Sequence, residues 1–518
     1  MTRRCMRMQL VRAALCLLCC AALWPGPGAA QVPGFNGGLM DAVLLTLRYE
    51  PNIAAANRQI MLSHGQLQSA NAEFDTALNA GVAIAQSHTP LAAPFQSSGR
   101  DQIDARSTSY TLGVTRRLRS GVIVAPTVGV NHVSDNFNNV TEPATGIVAL
   151  NFVLPLLKGR GREVNTAGER AAGEVLQAAD FSYRHTVAAR ISKTTVAYWD
   201  YLAALRAGGI RLESESRSGQ LLYDAQRLAK GDEIPPADVL QYEAQLARDR
   251  AFRVASEQTL AEARNILLLS MGVPAADAAA LAMPVDDFPE LQPAAASRLA
   301  ASGAVMTPAG RFDLLALQRR LASAEVLYDA ALREPASQFD VTVSLGYGGQ
   351  VENRSALVTL DALRKPVSGL NASLGLVYVL PVEGNGRGGL VRQRAALAEQ
   401  ARVELDALRQ SARAGIAIQR AALVSAALQL EQVRMQVRLR TQVFANERKK
   451  YRLGLATALD VLTAEALMTN AELDEIIARR LLAQALVNYR FETGTLLNAG
   501  GDAQSLTLQS LTTLPELQ

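Results

Sequence analysis

The stretch Tyr451-Arg-Leu-Gly-Leu-Ala-Thr-Ala-Leu-Asp-Val-Leu462 decides how the chain is read. It carries the signals of one helix stopping and another starting. Upstream, Ile416, Leu423, Leu430, Val437, Phe444 and Tyr451 recur every seven residues. A sustained apolar repeat of seven marks the seam of a left-handed supercoil. Lys449, Lys450 and Arg452 put cations in the last turn, where they favour the helix dipole, and Gly454 can take the left-handed conformation that ends a helix. Thr457 then reads as an N-cap, with Asp460 three residues on in a box arrangement. The stretch is the tip of a long helical hairpin.

Working outward, the same signals occur once before. Gly231, Asp238, Val239, Leu240 and Glu243 match Gly454, Asp460, Val461, Leu462 and Glu465. From the aspartate to the glutamate the two sets keep one constant offset, and Gly272 and Gly494 keep it too. The gap from glycine to aspartate is one residue longer in the first copy. Leu154-Pro155 and Leu380-Pro381 each close a strand-like run before a long helix. These matches predict two tandem repeats. The first, 31–272, holds a helix over 41–75, strands within about 78–154, a long helix over 161–230, a tip near 231–238 and a return helix. Pro235 and Pro236 suit that return helix's first turn. An Ala/Pro-rich linker is expected over 273–310. The second repeat, 311–497, holds a helix over 312–333, strands within about 339–380, a long helix over 390–453, a tip near 454–460 and a return helix over 458–492. Residues 498–518 are expected to be a flexible tail.

The strands are read from period-two alternation. Phe339, Val341, Val343, Leu345 and Tyr347 share one face; Asp340, Thr342, Ser344, Gly346 and Gly348 share the other. Leu78, Ala80, Val82 and Ile84 alternate in the same way, as do Tyr110, Leu112 and Val114, the run 122–132, the run 146–154, and Ala372, Leu374, Leu376 and Tyr378.

Residues 1–30 read as a secretory signal, with Arg3, Arg4, Arg7 and Arg12 before an apolar run and a small-residue site at Gly28-Ala29-Ala30. All four cysteines lie within it, so the processed chain has no thiol. The chain has 52 Lys+Arg and 48 Asp+Glu, and the signal takes four of the cations, leaving 48 of each sign. That balance argues against a nucleic-acid partner. No later run is long and apolar enough for a transmembrane helix. Strands with one lipid-compatible face in an exported chain without membrane helices point to a membrane β-barrel. Four to six strands cannot close a barrel of useful bore, so several chains must share one. A helix of roughly 70 residues spans about 105 Å, and its apolar seam must be buried against neighbours in a coiled-coil barrel.

With these pieces in place, the chain resembles the TolC-like outer-membrane channels. The resemblance covers essentially the whole processed chain. It is carried by Tyr451-Arg-Leu-Gly-Leu with Asp460-Val-Leu, by Gly231 with Asp238-Val-Leu, by Leu380-Pro381 before a Gly-rich helix start, and by Arg311-Phe-Asp-Leu opening the second half. It implies a homotrimeric tunnel: a mixed fold with a β-barrel in outer-membrane lipid and a long α-helical coiled-coil barrel through the periplasm. It also implies a passive exit duct of a tripartite efflux or type I secretion system, docked to a periplasmic adaptor and an inner-membrane pump, with no enzymatic activity and no cofactor.

The resemblance differs at two points. The segments around 110–132 add a strand pair to the family's usual four strands per chain. They either enlarge the barrel wall or sit outside it. Thr463 and Gln241 stand where the family prototype has a second tip aspartate, and Ala456 stands near the prototype's tip arginine.

Asp238 and Asp460 sit just inside helix starts, where a carboxylate stabilises the dipole by about 0.3–1 kcal/mol. Facing a lumen, they would also form an acidic, cation-selecting periplasmic gate. Tyr451 continues the apolar seam; the resemblance adds a hydrogen bond to Asp238 of the paired tip. Gly231 and Gly454 are helix ends, and the resemblance makes Leu453, Gly454, Leu455 and Gly231 the adaptor-docking tips. His64, His88, His132 and His185 have no metal-ligand spacing, and no phosphate-binding loop of the Gly-Lys-Ser/Thr type occurs. A periplasmic coiled-coil adaptor is the rival reading; it needs one helical hairpin flanked by compact β modules.

Overall fold

The computed structural model describes residues 35–90, 102–136, 143–232, 234–274, 281–301, 310–352, 363, 368–497 and 506–514. The expected signal lies outside them. Ten helices and six strands are described: α1 (Leu39–Tyr49), α2 (Pro51–Asn71), β1 (Thr76–Pro90), β2 (Gln102–Arg117), β3 (Ile123–Asp135), β4 (Pro143–Pro155), α3 (Arg162–Asn165), α4 (Ala167–Lys230), α5 (Pro236–Met271), α6 (Pro293–Ala301), α7 (Phe312–Arg333), β5 (Gln338–Glu352), β6 (Gly369–Val379), α8 (Asn385–Arg452), α9 (Ala458–Glu492) and α10 (Leu508–Thr512).

The strands form one antiparallel sheet in the order β1-β2-β3-β4-β5-β6, open at both edges. Its register keeps the two faces separate across the whole width. One row reads Ala80, Leu112, Val128, Val148, Tyr347, Leu370. The next row, on the opposite face, reads Gly81, Thr111, Gly129, Ile147, Gly348, Gly369. Ile147 is the one large residue in that second row, and it lies over the space its glycine neighbours leave open. The 110–132 pair is thus inside the sheet, between β1 and β4, and not outside it.

Below the sheet the helices pack side by side. At 1.5 Å per residue, the 64 residues of α4 and the 68 of α8 reach roughly 95–100 Å. Near the sheet α4 packs between α2 and α7, and α8 packs on α7; farther down, α4 packs against α5 and α9, and α8 packs on α9. The seven-residue series forms this seam, with Ile416, Leu423 and Leu430 buried against Ala478, Leu482, Ala485 and Leu486.

The main core sits partway along the helices. Trp199 is fully buried, edge-on to Tyr198 at 5.2 Å and against Phe288 at 5.8 Å. The expected linker takes part in this core. Phe288 and Leu281 are buried, α6 packs on α8, and Asp286 accepts hydrogen bonds from the Leu39 N–H (2.6 Å) and the Tyr198 hydroxyl (3.1 Å). Residues 281–292 have no regular structure, in keeping with a linker, but they are held: Asp286 caps the start of α1 and shares the Tyr198 hydroxyl with the Gly37 carbonyl, which lies 2.8 Å from it. Part of the expected flexible tail is folded as well. Leu511 fills the core, and Arg490 Nε donates to the Thr513 carbonyl at 2.5 Å. Residues 498–505 and 515–518 lie outside the described set.

Two helix boundaries also move. The helix expected over 41–75 is broken at Pro51, whose ring cannot continue a helix; Glu50 caps the new start by accepting from the Ile53 N–H at 3.0 Å. The long helix expected from 161 pauses at Thr166 before α4. Arg311, noted in the sequence as opening the second half, is a clamp: it pairs with Asp313 at 2.8 Å and with Glu492 at the end of α9.

Gly272 ends α5 with φ +73, and a Cβ there would meet the backbone of Tyr49 and Glu50 at 2.5–2.7 Å. Gly454 has a similar φ, +69, in open space. Gly272→Ala is therefore expected to lower stability by more than the roughly 1–2 kcal/mol that a left-handed alanine costs, and Gly454→Ala by no more than that. Thermal midpoints of the two variants check this; equal shifts would contradict it.

Candidate functional site at the helical tips

The two tips lie at the far ends of α4 and α8 and share one small core. Leu221 and Ala225 of α4, Tyr242 of α5, and Ala458, Val461 and Leu462 of α9 are buried together, with Ile234, Phe444 and Tyr451 packed on them. The tip found second in the chain is closed as the sequence predicts. The Leu455 N–H bonds the Lys450 carbonyl at 2.9 Å and the Gly454 N–H the Tyr451 carbonyl at 3.0 Å. Gly454 is left-handed, as expected. The box at the start of α9 is complete. The Asp460 N–H donates to the Thr457 hydroxyl at 3.3 Å, and the Thr457 N–H and hydroxyl donate to Asp460 at 2.8 and 2.7 Å.

The first tip is built differently. Gly231 caps α4 with φ −89, and the left-handed position falls to Asp232, at φ +57. The start of α5 has Pro235 as its N-cap and Pro236 behind it, with no side-chain cap. Asp238 is half-buried near this start, close to the Tyr242 hydroxyl. The matching aspartates thus have unequal surroundings: Asp460 is committed to its cap, while Asp238 caps nothing.

Tyr451 lies in the seam with its ring 6.4 Å from that of Tyr242, tilted by 57°. Burial raises the Tyr242 hydroxyl well above the usual phenol range, and the Tyr451 hydroxyl beside it adds to the effect. Among the described residues no hydrogen bond joins the Tyr451 hydroxyl to Asp238, the bond that the resemblance implies. Leu453 and Leu455 stand 71% and 74% exposed at the end of the molecule, joined by Leu459 and Leu240. An apolar cluster at an extremity is what a docking surface needs.

One polar site went unrecognised in the sequence. Glu465, noted only as a repeat marker, is 1% exposed between α4 and α9. It accepts from Arg217 Nε at 3.1 Å, Ser214 at 3.0 Å and Thr469 at 2.9 Å, while Arg217 also reaches Thr469 at 2.8 Å and Glu472 at 3.3 Å. Beside it the Ser218 hydroxyl bonds the buried Asp249, which Gln245 also holds at 3.1 Å. A buried charge persists only when paired and hydrogen-bonded, so this network fixes the lateral register of α4 against α9.

Among the described residues, no group of three or more His, Cys, Asp or Glu could hold a metal ion. His185 packs on the Phe491 ring at 5.6 Å, and burial lowers its pKa.

No family model and no curated protein sequence matches this chain. Solved structures do. A membrane protein from Pseudomonas aeruginosa matches with a TM-score of 0.64 at 17% identity, over 90% of this chain and 96% of that one. The outer membrane protein VceC from Vibrio cholerae matches with a TM-score of 0.63 at 16% identity, over 88% and 96%. The CmeC outer membrane channel from Campylobacter jejuni matches with a TM-score of 0.64 at 14% identity, over 92% and 90%. The chain has the fold of these outer-membrane channels across nearly its whole length.

The Asp460 carboxyl is held below the usual carboxylate range, first by the Thr457 hydroxyl and then by the Thr457 N–H. A lowered folded-state pKa means the cap contributes fully above the ordinary aspartate range and is lost as pH falls through the depressed value. Amide-exchange protection over 457–461 should therefore drop on acidification below that range, and Asp460→Ala should abolish the dependence. Protection that is unchanged by pH in the unaltered chain would contradict this.

Proposed function

We propose that this chain is the outer-membrane exit duct of a tripartite efflux or type I secretion system, working as a homotrimer that extends into the periplasm after signal removal. The observation that carries the reading is the continuous apolar face over six strands at one end of helices roughly 100 Å long, in the fold of outer-membrane channels. An open sheet whose apolar face is exposed belongs in lipid, and in lipid its edges must be paired.

The margins of the chain support a ring. β1 and β6 are the open edges, and each continues into helices on its own side: β1 from α2, β6 into α8. α8 leaves Val403, Ile418, Leu428, Met435 and Leu439 exposed, and α5, also next to α4, leaves Val254, Ile266 and Leu269 exposed. Opposed margins with uncovered apolar side chains suit a head-to-tail contact that closes on itself. The duplicated order of elements and the constant offset between the tips support two tandem repeats per chain.

The duct is passive; a pump in the inner membrane supplies energy through a periplasmic adaptor. The tips hold the gate and the adaptor site. Asp238, Asp460 and Tyr451 would line or close the mouth. Leu453, Gly454 and Leu455, with Gly231 on the first tip, would receive the adaptor. Because Asp460 is engaged in its cap and Tyr451 makes no bond to Asp238 among the described residues, closure rests mainly on packing between Tyr451 and Tyr242.

Planar-bilayer recording tests this. Tyr451→Ala is expected to raise single-channel conductance and Tyr451→Phe to leave it unchanged, while Asp238→Ala and Asp460→Ala reduce cation preference in the reversal potential. A Phe variant as open as the Ala variant would return the role to the hydroxyl. Absence of any conductance from the reconstituted protein would refute the duct.

A further inference from the structure

We infer that the hairpin β2–β3 is part of the membrane wall in the assembled duct, so that three copies of six strands close an eighteen-stranded barrel, with β1 of one copy paired to β6 of the next. This rests on the ring reading above and adds the size and lining of the outlet.

The first support is phase. On β2 and β3, Tyr110, Leu112, Val128 and Val130 lie on the same face as Val82, Val148 and Leu345, while Ser109, Thr111, Thr127 and Gly129 share the small-residue face. A one-residue slip would reverse this, so a hairpin only leaning on the sheet would have no reason to match it. The second support is anchorage. The β2–β3 turn is bound to the base of the sheet: the Gly161 N–H bonds the Ser120 carbonyl at 3.1 Å, and Arg119 Nε and Nη2 donate to Glu169 at 3.0 Å each. The Arg119 guanidinium lies 4.9 Å from the Phe74 ring, and Arg117 donates to Asn165 at 2.7 Å. Gly121, at φ +97, lets the turn sit against the Gly159 carbonyl, where a Cβ would collide. Parity permits the closure, as it would for four strands. With an even number of strands per chain, β6 of one copy meets β1 of the next antiparallel, so the whole wall keeps one pattern.

Barrel diameter grows roughly linearly with strand number, so the wall is about 1.5 times as wide as one built from four strands per chain. On the inward face of the six strands, charges occur only towards the strand ends, at Arg117, Asp135, Asp340 and Glu352. The lining between is Gly, Ser, Thr, Asn and Ala with few exceptions. Such an outlet is wide and neutral. It passes bulky cargo without sorting it by charge, leaving selection to the tips.

The cysteine-free processed chain allows a direct test by single substitutions in proteoliposomes of phosphatidylethanolamine and phosphatidylglycerol. Thr111→Cys and Thr127→Cys are expected to react with a charged maleimide at least about tenfold faster than Leu112→Cys and Val128→Cys, which should instead be quenched by spin-labelled lipid. Ser344→Cys and Leu345→Cys on β5 are the controls. Alternation on β5 with uniform aqueous reactivity on β2 and β3 would overturn the inference and leave the duct standing; loss of alternation on β5 as well would overturn both. A cross-section of the trimer by electron cryo-microscopy should count eighteen strands, and twelve would overturn the inference.

Discussion

A backbone amide in lipid has no water to bond, and in the proposed duct this one constraint would organise the assembly. Each strand of the six-stranded sheet satisfies its inner neighbours, but β1 and β6 each carry one unpaired row of N–H and C=O groups. An isolated chain cannot place that sheet in a membrane. In the proposed ring, pairing β1 with β6 of another copy would satisfy both rows with one contact. α2 enters β1 and α8 leaves β6, so in that ring the edges that join the sheet would also set which helices meet between copies.

The helical part answers a second demand. A helix of 68 residues cannot bury its seam against its own short neighbours alone, so α7 and α9 share its length, as α2 and α5 share that of α4. Packing of small and aliphatic residues permits sliding along such seams. The Arg217–Glu465 network is directional and buried, so it resists sliding between α4 and α9. Below it the shared core of Tyr242, Val461 and Tyr451 joins the tips by contact area and not by charge. The molecule is thus fixed in register above and held by softer packing at its end, a division that would suit the gate proposed for the tips.

Much of this was legible in the sequence because the signals are local. The Thr457–Asp460 box, the left-handed Gly454 and the alternation on all six strands depend on neighbours within a few residues, and each is where the pattern put it. The site was legible in part. Asp238 and Asp460 looked equivalent by offset, but the Pro235 start of α5 gives Asp238 nothing to cap. What stayed hidden depends on distant partners. Glu465 gains its meaning from Arg217 on another helix, Asp286 from Leu39 and Tyr198, and Leu511 from a core assembled elsewhere. Composition made the linker and tail look loose; single buried side chains hold them. Whether the 110–132 pair joined the sheet could not be read from its own alternation, because the docking of its turn depends on Glu169 and Asn165.

The claim that the two open edges close a ring of three is tested most directly by native mass spectrometry of the protein extracted from outer membranes in mild detergent. The account predicts a single species of three processed chains that persists on dilution. A monomer, or a dimer that leaves edges unpaired, would contradict it.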